Sequence, residues 1–151
     1  MQIAKPKLKR LRIGQRIGKY KLLRRIGDGA FGVVYRARDE VEGGHVALKI
    51  HEHTDDVSDM LRFFKKEIQL LARVDHQNIL KLKNADIFDG RFYIVSELGK
   101  GSLEGKRSIT VPYAVGVLKQ MLDALIEVQK HNIVHRDIKP ENIILFSDNI
   151  V

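Results

Sequence analysis

Gly27-Asp28-Gly29-Ala30-Phe31-Gly32-Val33-Val34-Tyr35 is the stretch that decides how the fold is read. Glycines let a backbone bend sharply and bring its N–H groups close to phosphate oxygens. A Gly-x-Gly-x-x-Gly run that opens a helix after a strand is the mark of a dinucleotide-binding crossover. Here Val33-Val34-Tyr35-Arg36-Ala37-Arg38 follows the last glycine, and that run is β-branched and aromatic, a strand. The run before it, Lys21-Leu22-Leu23-Arg24-Arg25-Ile26, also reads as a strand. The glycines therefore join two antiparallel strands, and the dinucleotide fold is disfavoured. A plain hairpin turn is the competing reading.

Outward from this hairpin, Glu42-Gly43-Gly44-His45 is a turn and Val46-Ala47-Leu48-Lys49-Ile50 a third strand. Ser58 and Asp59 are good N-cap residues for a helix from Met60 to Val74, in which Phe64, Ile68 and Leu71 recur at helical spacing. Leu80-Lys81-Leu82 and Phe92-Tyr93-Ile94-Val95 read as two more strands joined through Asp89-Gly90. Pro112 suits the first turn of a helix reaching Lys130. Its apolar stripe runs over Ala114, Val117, Leu118, Met121, Leu122, Leu125 and Val128. From Ile133 onward the chain reads as short strand and loop. This order predicts an α+β fold, an antiparallel sheet carrying one helix followed by a helical part. Little sequence remains to cover the broad stripe, so the chain is expected to be incomplete or to need a partner.

Composition narrows the classes. The 151 residues hold 44% hydrophobic and 30% charged residues, the profile of a folded chain. There is no Cys, which excludes a disulfide framework, a thiolate zinc site and a cysteine nucleophile and fits a reducing compartment. No apolar run approaches the ~20 residues of a membrane span. No apolar segment follows the basic N-terminal residues as in a secretory signal, so a cytoplasmic location is expected. The formal charge of +8 is concentrated in residues 1–25, which contain no acidic residue. Residues 1–19 read as a basic tail. No aromatic residue interleaves before Tyr20, so nucleic-acid binding is not expected.

Two further motifs carry chemistry. Lys49 ends a buried strand, where a cation is costly unless paired, and Glu67 on the next helix is the candidate partner. Such a pair can hold an ammonium against phosphates. His135-Arg136-Asp137-Ile138-Lys139-Pro140-Glu141-Asn142 sets three functional groups in one short loop. An Asp can accept a hydroxyl proton, a Lys two residues on can neutralise a transferring phosphoryl group, and an Asn five residues on can ligate Mg²⁺. His131 and His135 are not expected to form a metal site. His51 and His53 are expected at the surface.

The glycine loop, Val46-Ala47-Leu48-Lys49, Glu67 and the loop from His135 to Asn142 stand in the order and at the separations of the eukaryotic-type protein kinases, and the chain resembles that family from about Tyr20 to Val151. Lys139 is the form typical of serine/threonine kinases, and the lead-in Ile17-Gly18-Lys19-Tyr20 is similar to bacterial members. The resemblance implies a small lobe over residues 20–98, then the hinge exit and an incomplete large lobe over 99–151. It implies ATP and Mg²⁺ as cofactors and a protein with a Ser or Thr hydroxyl as substrate. Gly27, Gly29 and Gly32 would cover the phosphates, with Phe31 at the loop tip. Val34 and Ala47 would sandwich the adenine from above and Ile144 from below, and Ile26 would be a further nucleotide-binding residue. Lys49, held by Glu67, would contact the α- and β-phosphates. Ser96 falls at the gatekeeper position, and the segment Glu97 to Gly99 would be the hinge. Asp137 would be the catalytic base, Lys139 the γ-phosphate contact and Asn142 a Mg²⁺ ligand. The family's Asp-Phe-Gly motif would begin about four residues past Val151. A kinase fragment, inactive as an isolated chain, is the expectation. A naturally short, non-catalytic binding module is the alternative.

Overall fold

The computed structural model describes residues 11–29, 32–51, 57–135, 137–147 and 150. Its elements run β1 (Arg16–Ile17), β2 (Tyr20–Gly29), β3 (Gly32–Asp39), β4 (His45–Ile50), α1 (Val57–Arg73), β5 (Leu82–Phe88), β6 (Arg91–Glu97), β7 (Gly101–Ser102), α2 (Val111–Lys130) and β8 (Ile144–Leu145). Short 3₁₀ turns lie at Leu103–Gly105 and Pro140–Asn142. Six strands form one antiparallel sheet in the order β1-β2-β3-β4-β6-β5, and β7 pairs with β8. The expected α+β class holds. Two compact units divide the chain, residues 1–65 with 83–95 and residues 66–82 with 96–151.

In the first unit, alternation builds the core. Val33, Tyr35 and Ala37 of β3 and Val46, Leu48 and Ile50 of β4 point to one face. They pack there with Ile17, Tyr20, Leu22, Tyr93 and Val95. Tyr20 meets Tyr93 edge to face at 6.0 Å, a favoured aromatic geometry. β6 is buried along almost its whole length, because Phe92 packs on the Phe64 ring of α1 while Tyr93 and Val95 enter the core. The turn after β3 is closed by Asp39. Its carboxylate accepts from the Val41 and Glu42 amides and pairs with Lys19 at 2.8 Å.

Several sequence expectations need correction here. A strand precedes the predicted first one: Arg16–Ile17 pairs with β2, and Ile17 is fully buried. α1 begins at Val57, so Ser58 and Asp59 lie in its first turn rather than at its cap. The fourth expected strand, Leu80 to Leu82, instead begins at Leu82 and runs to Phe88. Asp89 and Gly90 do make the turn, with φ of 48° and 71°, the positive pair of a tight hairpin. His51 is buried, not surface: its amide donates to the Phe92 carbonyl and its ring meets Phe64 edge-on. It follows directly on β4, beside β6. His53 lies outside the described residues.

In the second unit, Thr110 caps α2 by accepting from the Tyr113 amide, and Pro112 sits in the first turn as expected. The stripe packs on one side only. Val117 and Val128 are buried, and Val117 joins Ile143 and Ile150, with Leu103, Met121 and Leu145 against them. Leu118 and Leu122, members of the stripe expected to lack cover, are 55% and 57% exposed. The residues described meet the Val117 side of the helix and leave the next side open. Asn78, in the loop after α1, donates to Gln120 of α2 and to the Ile150 carbonyl. From Ile133 onward the described residues are loop and one short strand, as expected: Ile144 and Leu145 pair with β7, and Leu145 also bridges Ile150. No helix among the described residues is long and apolar enough to cross a membrane.

Candidate functional site

The sheet of the first unit has a second face, opposite its core. Residues paired directly across an antiparallel ladder share a face. Gly27 pairs with Val34, and Val34 with Lys49; one rung further, Arg36 pairs with Ala47. Val34, Ala47 and Lys49, each half-buried, therefore share one face of the sheet with Gly27. Ile26 is the extra residue of a β-bulge between Arg25 and Gly27, and its side chain is exposed. Bulges re-aim a side chain in this way.

The hairpin closes at the pair Gly29 and Gly32. Gly32 has φ of 143°, and a Cβ there would come within 2.2 Å of the Ile50 carbonyl oxygen. The glycine is thus what lets the hairpin end lie against the end of β4. A Cβ on Gly27 would meet only ordinary contact with Val34, at 3.4 Å. Ala30 and Phe31 lie outside the described residues, so the loop tip assigned to Phe31 does too. Glu67 lies on α1, but its side chain, and with it the expected Lys49–Glu67 pair, is outside the described residues.

The second unit brings two further groups together. Ser96, buried, and Glu97 end β6. After them the Lys100 amide donates to the Leu145 carbonyl, and the Leu103 amide to that of Ile143. Gly99 makes this approach possible, since a Cβ there would sit 2.2 Å from Ile144 Cγ2. Gly99 and Ile144 are thus in direct apposition.

Asp137, Lys139 and Asn142 form the other group. Lys139 is extended before Pro140, the conformation proline imposes on its predecessor, and Pro140 starts the 3₁₀ turn. That turn swings Asn142 back onto Asp137. Asn142 Nδ2 donates to Asp137 Oδ2 at 2.8 Å and to the Asp137 carbonyl at 2.9 Å. Lys139 Nζ lies 3.1 Å from Asp137 Oδ1. The Asp137 amide donates to His135 Nδ1. The Lys139 ammonium, and after it the Asn142 amide, hold the Asp137 carboxyl below its ordinary value. The group stays ionised and able to receive a proton.

The donor chemistry fits Mg²⁺. With both of its donor bonds on Asp137, the Asn142 side chain keeps its amide oxygen as an acceptor, a hard ligand of the kind Mg²⁺ takes. No cluster of three or more His, Cys, Asp or Glu able to hold a metal occurs among the described residues. Sequence reasoning overlooked Arg24 and Arg36, which share the face of Ala47; the alternation Val34, Arg36, Arg38 along β3 was the available signal.

A family model described as the protein kinase domain matches residues 20–151. Serine/threonine-protein kinase 10 of Rattus norvegicus is 36% identical over 132 residues, covering 83% of this chain and 13% of its own length. Serine/threonine-protein kinase PrkC of Bacillus subtilis is 35% identical over 142 residues, 88% of this chain and 22% of its own. Serine/threonine-protein kinase Pkn1 of Myxococcus xanthus is 33% identical over 142 residues, 91% and 20%. The chain spans about a fifth or less of the length of these curated relatives.

Proposed function

We propose a function from one established fact, that this chain belongs to the protein kinase domain family. Its residues are the ATP-binding part and catalytic loop of a serine/threonine protein kinase, which moves the γ-phosphoryl group of ATP to a protein hydroxyl. The observation that carries this reading is the Asp137–Lys139–Asn142 cluster, an ionised carboxylate beside an ammonium and an amide oxygen donor.

In this mechanism Asp137 accepts the proton of the Ser or Thr hydroxyl as that oxygen bonds to the γ-phosphorus. The bond from the γ-phosphorus to its bridging oxygen breaks, and ADP leaves with the electron pair. Lys139 opposes the charge on the transferring group. Lys49, held by Glu67, orients the α- and β-phosphates, and Gly27, Gly29 and Gly32 cover them with Phe31 at the tip. The residues proposed for the adenine are Ile26, Val34 and Ala47 of the first unit and Ile144, Ser96 and the backbone of Glu97 to Gly99 of the second. Asn142 ligates Mg²⁺, which when bound neutralises phosphate charge. The 151-residue polypeptide by itself holds nucleotide without useful turnover, because no Asp-Phe-Gly motif is among its residues.

The test follows γ-phosphate transfer to Ser- and Thr-containing peptides by a protein carrying this segment. Asp137→Asn is expected to lower the rate by about 10²–10⁴-fold, the usual worth of a positioned general base, with nucleotide affinity unchanged. Transfer that survives Asp137→Asn at full rate would overturn the assignment.

A further inference from the structure

We propose that the cationic end of the sheet face just described is a docking site for an acidic protein segment, one with carboxylates at alternate residues. The proposal goes beyond phosphoryl transfer and rests on the sheet alone. In the β2–β3 ladder Lys21 stands directly opposite Arg38, and Arg24 directly opposite Arg36. Like charges placed opposite one another destabilise a sheet. Here two such pairs are stacked. The rows are about 7 Å apart along β3 and the strands about 5 Å apart, so four cations share one small rectangle.

The surrounding cations are neutralised and these four are not. Arg16, opposite Lys21 on β1, pairs with Glu40. Lys19 pairs with Asp39 and Glu42, and Arg25 with Asp28. Among the described residues Lys21, Arg24, Arg36 and Arg38 have no acidic partner. On the far side of β3, the residues opposite Arg38 and Arg36 are His45 and Ala47, neither of them acidic. Arg36 is half-buried, and its Nε is fully covered with no hydrogen-bond partner. One donor of the guanidinium is thus covered by the fold, and no hydrogen bond or ion pair among the described residues spends the others.

An extended chain presents alternate side chains about 7 Å apart, the spacing of the two rows. An acid-x-acid segment lying along the hairpin therefore sets one carboxylate between Lys21 and Arg38 and the next between Arg24 and Arg36. The arginine forks match carboxylates in pairs of hydrogen bonds. Nucleic acid is disfavoured because, among the described residues, the face offers no aromatic ring for bases; Tyr20 and Tyr35 turn into the core.

The probe is a fluorescein-labelled peptide of alternating Glu and Val, read by anisotropy with the 151-residue chain at low salt. A peptide with Gln in place of Glu serves as control. The expected result is binding of the Glu peptide only, weakened at least tenfold by Arg36→Gln/Arg38→Gln. The control variant Lys119→Gln/Lys130→Gln, with the same formal charge of 8 − 2 = +6, is expected to bind as the parent does. Arg24→Gln alone, on an exposed side chain, is expected to weaken binding while keeping the parental circular dichroism and Tm. Equal loss in both double variants reduces the effect to net charge and overturns the proposal. So does equal binding of the Gln peptide, or parental affinity in all three variants. A labelled single-stranded oligonucleotide that binds more tightly than the peptide, and is lost with Arg36→Gln/Arg38→Gln, replaces it with a nucleic-acid site.

Discussion

The glycine hairpin and the catalytic loop place their side chains by different means. From Gly27 to Gly32 the ladder of β2 and β3 does the placing: Val34 and Lys49 are where they are because their rungs are counted from the hairpin end. Around Asp137 no ladder exists among the described residues. Exposed side-chain contacts from Lys139 and Asn142, with one 3₁₀ turn, hold the carboxylate. The first arrangement depends on backbone shape. The second is polar, solvent-facing and tunable by single side chains.

The sharpest break of this comparison is Gly32→Ala. The added methyl would press on a main-chain oxygen of Ile50, at a φ that L side chains rarely adopt. A loss of about 3 kcal/mol is expected, combining backbone strain and overpacking, read by urea unfolding. Gly27→Ala, where the contact is ordinary, is expected to change stability by less than about 1 kcal/mol. Equal effects at the two positions would mean that the hairpin does not rest on Ile50.

Within the same sheet Asp39 tests whether a buried polar clamp matters as much. Burial pushes its carboxyl up, but Lys19 and the amides of Glu42 and Val41 outweigh it, and the net direction is down. A group lowered on folding adds stability that is present above its unfolded value and lost as pH falls through the folded one. Lys19 is raised by Asp39 and Glu42, so its share is lost only in strong base. Asp39→Asn is expected to cost about 1–3 kcal/mol at neutral pH and to flatten the fall in Tm below about pH 4. In the second unit, α2 offers adjacent positions of opposite kind. Val117→Ala is expected to cost about 2 kcal/mol and Leu118→Ala under about 0.5 kcal/mol by thermal unfolding, since only the first is buried.

What the sequence displayed follows the same division. The hairpin, β4 and α2 were legible because alternation and helical spacing are local patterns. β5 was not, since Asn84, Asp86 and their neighbours lie on a largely exposed edge strand and carry no apolar alternation. The burial of His51 depends on β6, far along the chain, and no local signal reports it. Which side of α2 would pack was equally hidden, because Val117 and Leu118 are alike in hydrophobicity and differ only in what lies opposite. Asp137, Lys139 and Asn142 were legible by their separations, and the Pro140 turn is the physical reason those separations bring them together.

The finest test concerns the strength of the two holds on Asp137. Its carboxyl sits below the ordinary 3.8, with Lys139 the larger cause and Asn142 the second. Lys139→Met removes a full charge and leaves the amide bond; Asn142→Ala removes a neutral donor and leaves the ammonium. Both are expected to move the carboxyl upward, Lys139→Met further. A carbon-13 NMR titration of the aspartate carboxyls reads this directly. If Asn142→Ala moves it more, the amide rather than the ion pair fixes the carboxylate. The positioning of Asp137 would then depend on the same side chain that is proposed to ligate Mg²⁺. If neither variant moves it, the loop does not hold Asp137 in solution as the geometry has it, and the contrast with the hairpin becomes one between a formed site and an unformed one.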